Sequence, residues 1–509
     1  MIAKQLIEPK SIVVVGGSDD IHKPGGTVLR NLQDGNFKGS LYVVNPKMDE
    51  VQGIKAYRDV KDLPEVDCAI LAIAAKFCPS TVEVLAKQKN TKAFIILSAG
   101  FHEENEEGAK LERQIVETIN SVGGSLIGPN CIGVLTNHYS GVFTSPIPEL
   151  NPQGVDLISG SGATALFIMD SGMQKGIKFN SMYSVGNSAQ LGVEEILEYM
   201  DESFDPKTSS RVKLLYVESI EKPEKLLKHA SSLIRKGCRI AAVKSGGSAA
   251  GSRAASSHTG ALASSDVAVE ALFRKAGIVR CNGRDELMTV AGIFMHPEMK
   301  GRNMAVVTHA GGPAVMLTDA LSNGGMDVPH IEGEKAQELL GKLFAGSSVG
   351  NPIDFLATGT AEQLGYILDA CDRDFDNIDG MAVIFGSPGL FPVFDVYNVL
   401  DEKMKTSKKP IFPIFPSSKI VKDEIAEFVS KGRVYFPDEV LFGNALCKIY
   451  KTPAPQPEHF EMPDMDVKKI REVVDNAQNG YLSPDEIHAL LDAAGVARAK
   501  EGVSDNEEE

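Results

Sequence analysis

Short apolar runs separated by glycine turns and amphipathic stretches set the rhythm of this chain from its start. SIVVVGG (11–17) precedes a helical pattern around GGTVLRNLQ, and SLYVVNP (40–46) follows it. DCAILAIAA, the helical TVEVLAKQ, KAFIILSAG and SLIGPNCIG, ending at residue 133, continue the alternation. Strands of this length alternating with helices predict a parallel, doubly wound sheet covered on both faces. TSPIPELNPQG (144–154) is polar and Pro-containing, and marks a first linker. A second α/β run follows, through VDLISGSGATALFIMD, KFNSMYSVGN, VKLLYVES and RIAAVKSGG, and ends around HPEMKGRN (296–303). MAVVTHAGGPAVMLTDAL, DGMAVIFGSP and KPIFPIFP build a third run to about Tyr450. KTPAPQPEHFEMPDMD is Pro-rich and acidic, which predicts a linker. One amphipathic helix, SPDEIHALLDAAG, follows it with Ser483 as N-cap and Pro484 at its first position, and SDNEEE closes the chain as a solvated acidic tail. The pattern therefore predicts an α/β protein divided into 1–145, 150–298, 302–450 and a short segment 451–509.

Composition narrows the function classes. The 509 residues suit about three domains, and 43% hydrophobic with 24% charged residues is ordinary globular usage. A net charge of −16 argues against a protein whose business is coating nucleic acid. Apolar runs such as Ile12–Val15 and Ala69–Ala75 fall far short of the ~18 residues of a membrane helix, and MIAKQLIEPK offers no secretory apolar core. Seven scattered Cys without a CxxC pair predict reduced thiols in a cytoplasmic protein, with no disulfide framework and no metal site.

The candidate chemistry sits where strands end. VVVGGSDDIHKPGG runs from a strand through glycines into a helix, which aims backbone N–H groups and the positive helix end at an anion. Gly16, Gly17, Ser18, Lys23 and Gly25 are its candidate ligand contacts, although the spacing is not GxGxxG. A dinucleotide site of the NAD type wants an acid at the end of the second strand. Lys47 stands there instead, which suits a ribose-bound phosphate, as in NADP or the 3′-phospho-ADP of coenzyme A; a plain surface lysine fits equally well. Ser98, Gly100 and Phe101 follow another strand, and Asn130 another, both at carboxyl ends that line the crevice of an open sheet. Cys131 reads as a buried structural thiol, with no neighbouring His to activate it. In the second run, Ser161 and Gly162 open a helix after a strand, and Gly186 and Asn187 form a further loop, both suited to phosphate or carboxylate. The stretch VKSGGSAAGSRAASSHTGALASSD (243–266) is so rich in Gly, Ala and Ser that it predicts a long mobile loop, with His258 at its tip. An imidazole on such an arm can accept a phosphoryl group and carry it between sites.

SHTGALA with its upstream VKSG, together with YVES, VVNPK, SAGF, GPNCIG, SGSGA and SVGN, resembles the nucleoside-diphosphate-forming acyl-CoA synthetases. The likeness is to the α part of ADP-forming acetyl-CoA synthetase in the succinyl-CoA synthetase superfamily, over about residues 10–450. The resemblance implies a Rossmann-like CoA-binding domain followed by two flavodoxin-like ligase domains. It implies phosphorylation of His258, with Glu218 supporting the other ring nitrogen. It also implies coenzyme A, ADP/ATP and Mg²⁺ as cofactors and a small carboxylic acid with its acyl-CoA as substrates. The nucleotide and its metal would be held mainly by an ATP-grasp β subunit, since no GxxxxGK[ST] loop occurs here. GYLSPDEIHALLDAAGV, with the apolar face Leu482, Ile487, Leu490 and Leu491, resembles the opening helix of such a module. Three departures touch the anion sites and the pantetheine channel: Gly160 where the family often has Gln, Gly247 where it often has Arg, and Ala74 or Ala75 where it has Pro. Two rival readings are a non-catalytic CoA-binding scaffold or sensor, and an NADP-dependent oxidoreductase. Retention of His258 speaks against the first, and the absence of a hydride-transfer constellation against the second.

Overall fold

Strands covered on both faces have no polar side, and the first sheet is built that way. In the computed structural model, β5 (Cys68–Leu71) and β6 (Ala93–Ile96) are buried at every position. With β1 (Ser11–Val15), β2 (Ser40–Val44), β3 (Glu50–Val51), β4 (Ile54–Tyr57) and β7 (Ser125–Ile127) they form one sheet in the order β3-β4-β2-β1-β5-β6-β7. The pairings are parallel except β3 on β4. The order reverses between β1 and β5, the switch point at which α/β sheets open a ligand crevice. The structure describes residues 2–499 apart from 36, 260–264, 388, 391, 458–463 and 479, and for 255–259 it describes the backbone alone.

The second sheet contains β8 (Gly133–Leu135), β9 (Ser140–Val142), β10 (Leu150–Ser159), β11 (Phe179–Ser184), β12 (Val212–Val217), β13 (Arg239–Lys244) and β14 (Val279–Cys281). Their order is β14-β13-β12-β10-β11-β8-β9. The boundary expected at residue 145 therefore moves. Val134 and Leu135 pair antiparallel with Tyr183 and Met182, so the chain crosses into the second sheet directly after the loop 128–132. The stretch read as a linker already contains the start of β10. The third sheet is smaller and all parallel, with β15 (Met304–Thr308), β16 (Ile353–Asp354), β17 (Gly380–Ile384) and β18 (Ile411–Ile414) in the order β16-β15-β17-β18.

The segment expected as a loop carries a helix, Ala249–Thr259. Alanine-rich sequence has high helix propensity, and the low-complexity reading gave that too little weight. His258 belongs to the last turn of this helix by its backbone, while its side chain lies outside what the structure describes.

Residues 1–455 form one compact unit and 456–509 another. In the smaller unit the expected helix is present as Pro484–Ala493, with Ser483 and Glu486 forming a reciprocal capping box. A second helix, Val467–Asn476, stands where the sequence suggested only one; Asp466 caps it, and the Asp466 N–H donates to the Ala493 carbonyl at 2.8 Å. Neither helix buries a residue fully. Among the described residues, no helix is long and apolar enough to cross a membrane.

The second and third sheets share one continuous hydrophobic core. His296 lies in it, 7% exposed, with its ring 5.0 Å from Phe412 and 5.7 Å from Phe436. Nδ1 is bonded to the Gly292 carbonyl at 2.8 Å, and Nε2 is buried without a partner. Burial depresses its pKa from 6.5 to about 4, because an imidazolium there would lose its hydration. The folded state thus resists protonation that the unfolded chain accepts, so stability present above pH 6.5 is lost as pH falls towards 4. That loss amounts to about 3 kcal/mol. Urea unfolding of wild type and His296→Leu at pH 7 and pH 4 checks it: the variant should gain on the wild type by about that amount at the lower pH. A pH-independent difference would refute the assignment.

Candidate functional site

The turn after β1 is shaped by contacts that exclude side chains. Gly16 takes φ +88°, and a Cβ there would stand 2.5 Å from the Ala72 carbonyl oxygen. One on Gly25 would meet the Gly16 carbonyl oxygen at 2.1 Å, so glycine lets the helix Pro24–Asp34 begin against the turn. Gly17 is packed against Val43 in the same way. The Ser18 hydroxyl accepts from the Asp20 N–H at 3.1 Å, and Lys23 Nζ lies 3.7 Å from Asp20, exposed at the crevice. Lys47 is exposed at the end of β2, and its N–H donates to Asn45 Oδ1. Asn45 in turn donates to the Gly17 carbonyl at 2.8 Å, so the lysine and the glycine turn share one support.

Sequence reasoning missed Gln52. Its amide donates to the carbonyls of Ser18 (2.7 Å) and Gly26 (2.9 Å), and its backbone N–H donates to Asp19. Gln52 and Gly53 take φ +47° and +78° in the two-residue β3–β4 turn, the geometry that usually selects Asn-Gly. Arg58 was missed too; it donates to the Pro46 carbonyl beside Lys47.

The turn after β6 differs from the expectation in one respect. Phe101 is fully buried in the core of the first sheet, so only its backbone faces the turn. The N–H groups of Gly100 and Phe101 donate to the carboxylate of Glu103, at 2.6 and 3.2 Å. Burial alone would raise the Glu103 pKa, but hydrogen bonds from Asn187, Gly100 and Phe101 outweigh it and hold the group ionised. Ser98 donates its hydroxyl to the Ile73 carbonyl, and its own carbonyl accepts from the Asn130 N–H.

The second-sheet candidates meet in one cavity of about 550 Å³ at the junction with the first sheet. Asn130, Ser161, Gly162, Gly186, Asn187 and Glu218 all line it. Ser161 caps the helix Gly162–Gln174 by accepting from the Thr164 N–H, which leaves the opening amides of Gly162 and Ala163 on the cavity wall. Gly186 takes φ +53°, and a Cβ there would lie 2.2 Å from the Pro129 carbonyl oxygen. Glu218 follows β12 and accepts from the Tyr216 hydroxyl at 3.2 Å. The Tyr216 pKa is raised first by burial and further by the Glu218 charge, so it stays a neutral donor. Cys131 reaches the wall, yet it is 3% exposed and donates to the Ile96 carbonyl; burial pushes its thiol up to about 12. His102 and Glu112 also line the cavity, paired at 2.7 Å through His102 Nδ1, and neither was singled out from sequence. Of the predicted catalytic pair, Glu218 is therefore in the cavity, and the His258 side chain lies outside the described residues. Among the described residues, no group of three or more His, Cys, Asp or Glu is placed to hold a metal ion.

A switch-point crevice with a glycine turn, joined to a flavodoxin-like layer that offers a helix N-terminus, defines a class of α/β proteins suited to phosphate-bearing ligands. Two family profiles match accordingly: a CoA binding domain over residues 10–137 and a succinyl-CoA ligase like flavodoxin domain over 152–294. The α subunit of ADP-forming acetate–CoA ligase II of Pyrococcus furiosus is 32% identical over 431 residues, covering 84% of this chain and 92% of that one. The ADP-forming acetate–CoA ligase I of Archaeoglobus fulgidus is 35% identical over 381 residues, 74% of this chain and 54% of that protein. A solved dinucleotide-forming acetyl-coenzyme A synthetase from Candidatus Korarchaeum cryptofilum, in complex with phosphate and ADP, superposes with a TM-score of 0.78 at 26% identity, covering 88% of this chain and 96% of that one. The chain belongs to the ADP-forming acetate–CoA ligase family. It spans nearly all of the Pyrococcus α subunit and about half of the Archaeoglobus protein.

The thiol geometry is directly testable. All seven cysteines are buried, so iodoacetamide should modify none of them in the native protein and all seven after unfolding. Rapid native alkylation of Cys131 would restore it as a candidate nucleophile.

Proposed function

We propose that this chain acts as the α subunit of an ADP-forming acyl-CoA synthetase, interconverting acyl-CoA, ADP and phosphate with a carboxylic acid, CoA and ATP. The observation that carries the reading is the single cavity in which the helix start at Ser161–Gly162, the loop 186–187 and Glu218 meet beside the CoA-binding fold. Coenzyme A lies along the crevice over Gly16, Gly17, Ser18 and Gly25, with Lys23 and Lys47 toward its phosphates and the turns 98–100 and 130 toward its thiol end. In the cavity a phosphate oxygen attacks the thioester carbonyl, the C–S bond breaks, and CoA leaves as the thiol after taking a proton. The opening amides of the helix Gly162–Gln174 stabilise the oxyanion formed. A ring nitrogen of His258 then attacks the phosphorus of the acyl phosphate, and the carboxylate leaves. Glu218 orients the ring by accepting from its other nitrogen.

The nucleotide binds on a separate ATP-grasp subunit, where its Mg²⁺ neutralises phosphate charge. A relative that this chain covers to 92% of its length is named as an α subunit, which supports this division. The substrate is a small carboxylic acid, and the protein works in the cytoplasm.

Two measurements test the reading. Acyl-CoA plus phosphate should label His258 with an acid-labile, base-stable phosphoryl group. His258→Ala should abolish turnover of the reconstituted enzyme while CoA still binds, and Glu218→Gln should slow labelling more mildly. Unchanged turnover in His258→Ala would refute the mechanism. Separately, the chain should bind CoA better than 3′-dephospho-CoA, and Lys47→Ala should shrink that ratio by roughly 10- to 100-fold, since a charge-assisted contact contributes about 1.5–3 kcal/mol. Equal binding of both by the wild type would show that the 3′-phosphate lies elsewhere.

A further inference from the structure

Asn187 reads from sequence as a phosphate contact, but its side chain is turned to other work. A carboxamide has two N–H donors on one nitrogen and one acceptor oxygen. Both donor directions go to carboxylates of the first domain: Nδ2 donates to Glu103 and, at 3.2 Å, to Glu112. Oδ1 accepts from Asn130 Nδ2 at 3.3 Å. The backbone N–H donates to the Pro129 carbonyl at 2.9 Å. Phosphate at neutral pH presents mainly acceptor oxygens and needs donors, and Asn187 has none left to give.

The partners lead onward. Glu103 holds the amides of Gly100 and Phe101, in the turn assigned above to the thiol end of CoA. Glu112 holds His102 Nδ1 at 2.7 Å on the cavity wall. Gly186, one residue before Asn187, leaves no room for a side chain beside the carbonyls of Pro129 and Asn130. Bonds from the Asn187 and Ala189 N–H groups to the Pro129 and Gly128 carbonyls tie the loop to the 128–130 turn.

We propose that Asn187 is a positioning residue, a latch that couples the CoA turn of the first domain to the phosphate loop of the second without touching phosphate itself. The inference rests on the proposed CoA and phosphate sites. Occupation of the 98–101 turn fixes Glu103, Glu103 fixes Asn187, and Asn187 fixes the loop that faces the incoming phosphate. The coupling is reciprocal, so bound phosphate must tighten CoA by the same factor.

Calorimetry on the full chain, titrating CoA with and without saturating inorganic phosphate, tests the latch. The wild type should show coupling of at least about fivefold. Asn187→Asp sets three carboxylates against one another, and the ratio should fall to within about twofold of unity. Adding Glu103→Gln to it recreates the amide–carboxylate pair in reverse and should restore most of the coupling. Phosphate affinity measured without CoA should stay within about threefold of wild type throughout, whereas a direct ligand would cost roughly tenfold or more. Glu103→Gln alone should also uncouple the sites, which keeps the test valid if Asn187→Asp melts early. Undiminished coupling in these variants overturns the latch, as does a loss of CoA-free phosphate affinity confined to Asn187→Asp. A wild type that binds CoA and phosphate without coupling overturns the latch alone; one that binds no CoA overturns the underlying functional reading together with it.

Discussion

The antiparallel pairing of β8 on β11 fixes the rest of this molecule. It forces the chain leaving the first sheet at residue 128 to run directly against the chain leaving β11 at residue 184. The two exits are then tied by backbone bonds, from the Asn187 N–H to the Pro129 carbonyl and from the Ala189 N–H to the Gly128 carbonyl. The cavity lies at that seam. Separating the two sheets would expose a core they share, so the two halves of the cavity are held against each other.

Electrostatics at the seam pose a problem that the backbone answers. In the proposed reaction anionic substrates enter a cavity whose wall includes Glu112, Glu194, Glu195, Glu218 and Glu221, in a chain of net charge −16. Several of these charges are already used internally. Glu194 accepts from the N–H groups of Glu221 and Lys222, and Glu195 accepts from the Gly192 N–H and pairs with Lys222 and Lys225. Burial works against ionisation of Glu195, but these bonds more than compensate. Carboxylates committed in this way pin loops and contribute little field toward a ligand. The opening amides of the helix Gly162–Gln174 are then left to attract an anion.

Much of this was legible in the sequence, for identifiable reasons. Gly16, Gly25 and Gly186 stand out because a close backbone approach or a positive φ leaves no room for a side chain, and such requirements are local. Strand–turn–helix rhythm placed Ser161 and Gly162 correctly at a helix start. What failed was non-local or competitive. The assignment of residues 133–142 to a sheet depends on a partner some fifty residues away. Phe101 follows a glycine turn just as a ligand contact would, yet its apolar ring is worth more in the core. Asn187, expected as a phosphate contact, lines the cavity, but no local pattern shows that Glu103 and Glu112 use up its donors. In the helix Val467–Asn476, the spacing of Val467, Ile470 and Val474 was present, and the Pro-rich, acidic stretch before it hid the signal.

The segment around His258 brings the two readings together. Composition predicted a loop, whereas the backbone forms an 11-residue helix. These are close in energy: helices shorter than about 12–15 residues are marginal in water unless packing supports them. Ala, Ser and Gly supply little apolar surface for such packing, and residues 249–254 are half-buried or exposed. Gly246, at φ +73°, gives the chain a turn just before the helix begins. A helix of this kind can order a proposed carrier group at low cost and release it at low cost. For a phosphoryl group that has to be accepted at one site and delivered at another, a strongly packed element would hold the histidine too well at the first site, and a structureless one would position it too poorly for attack.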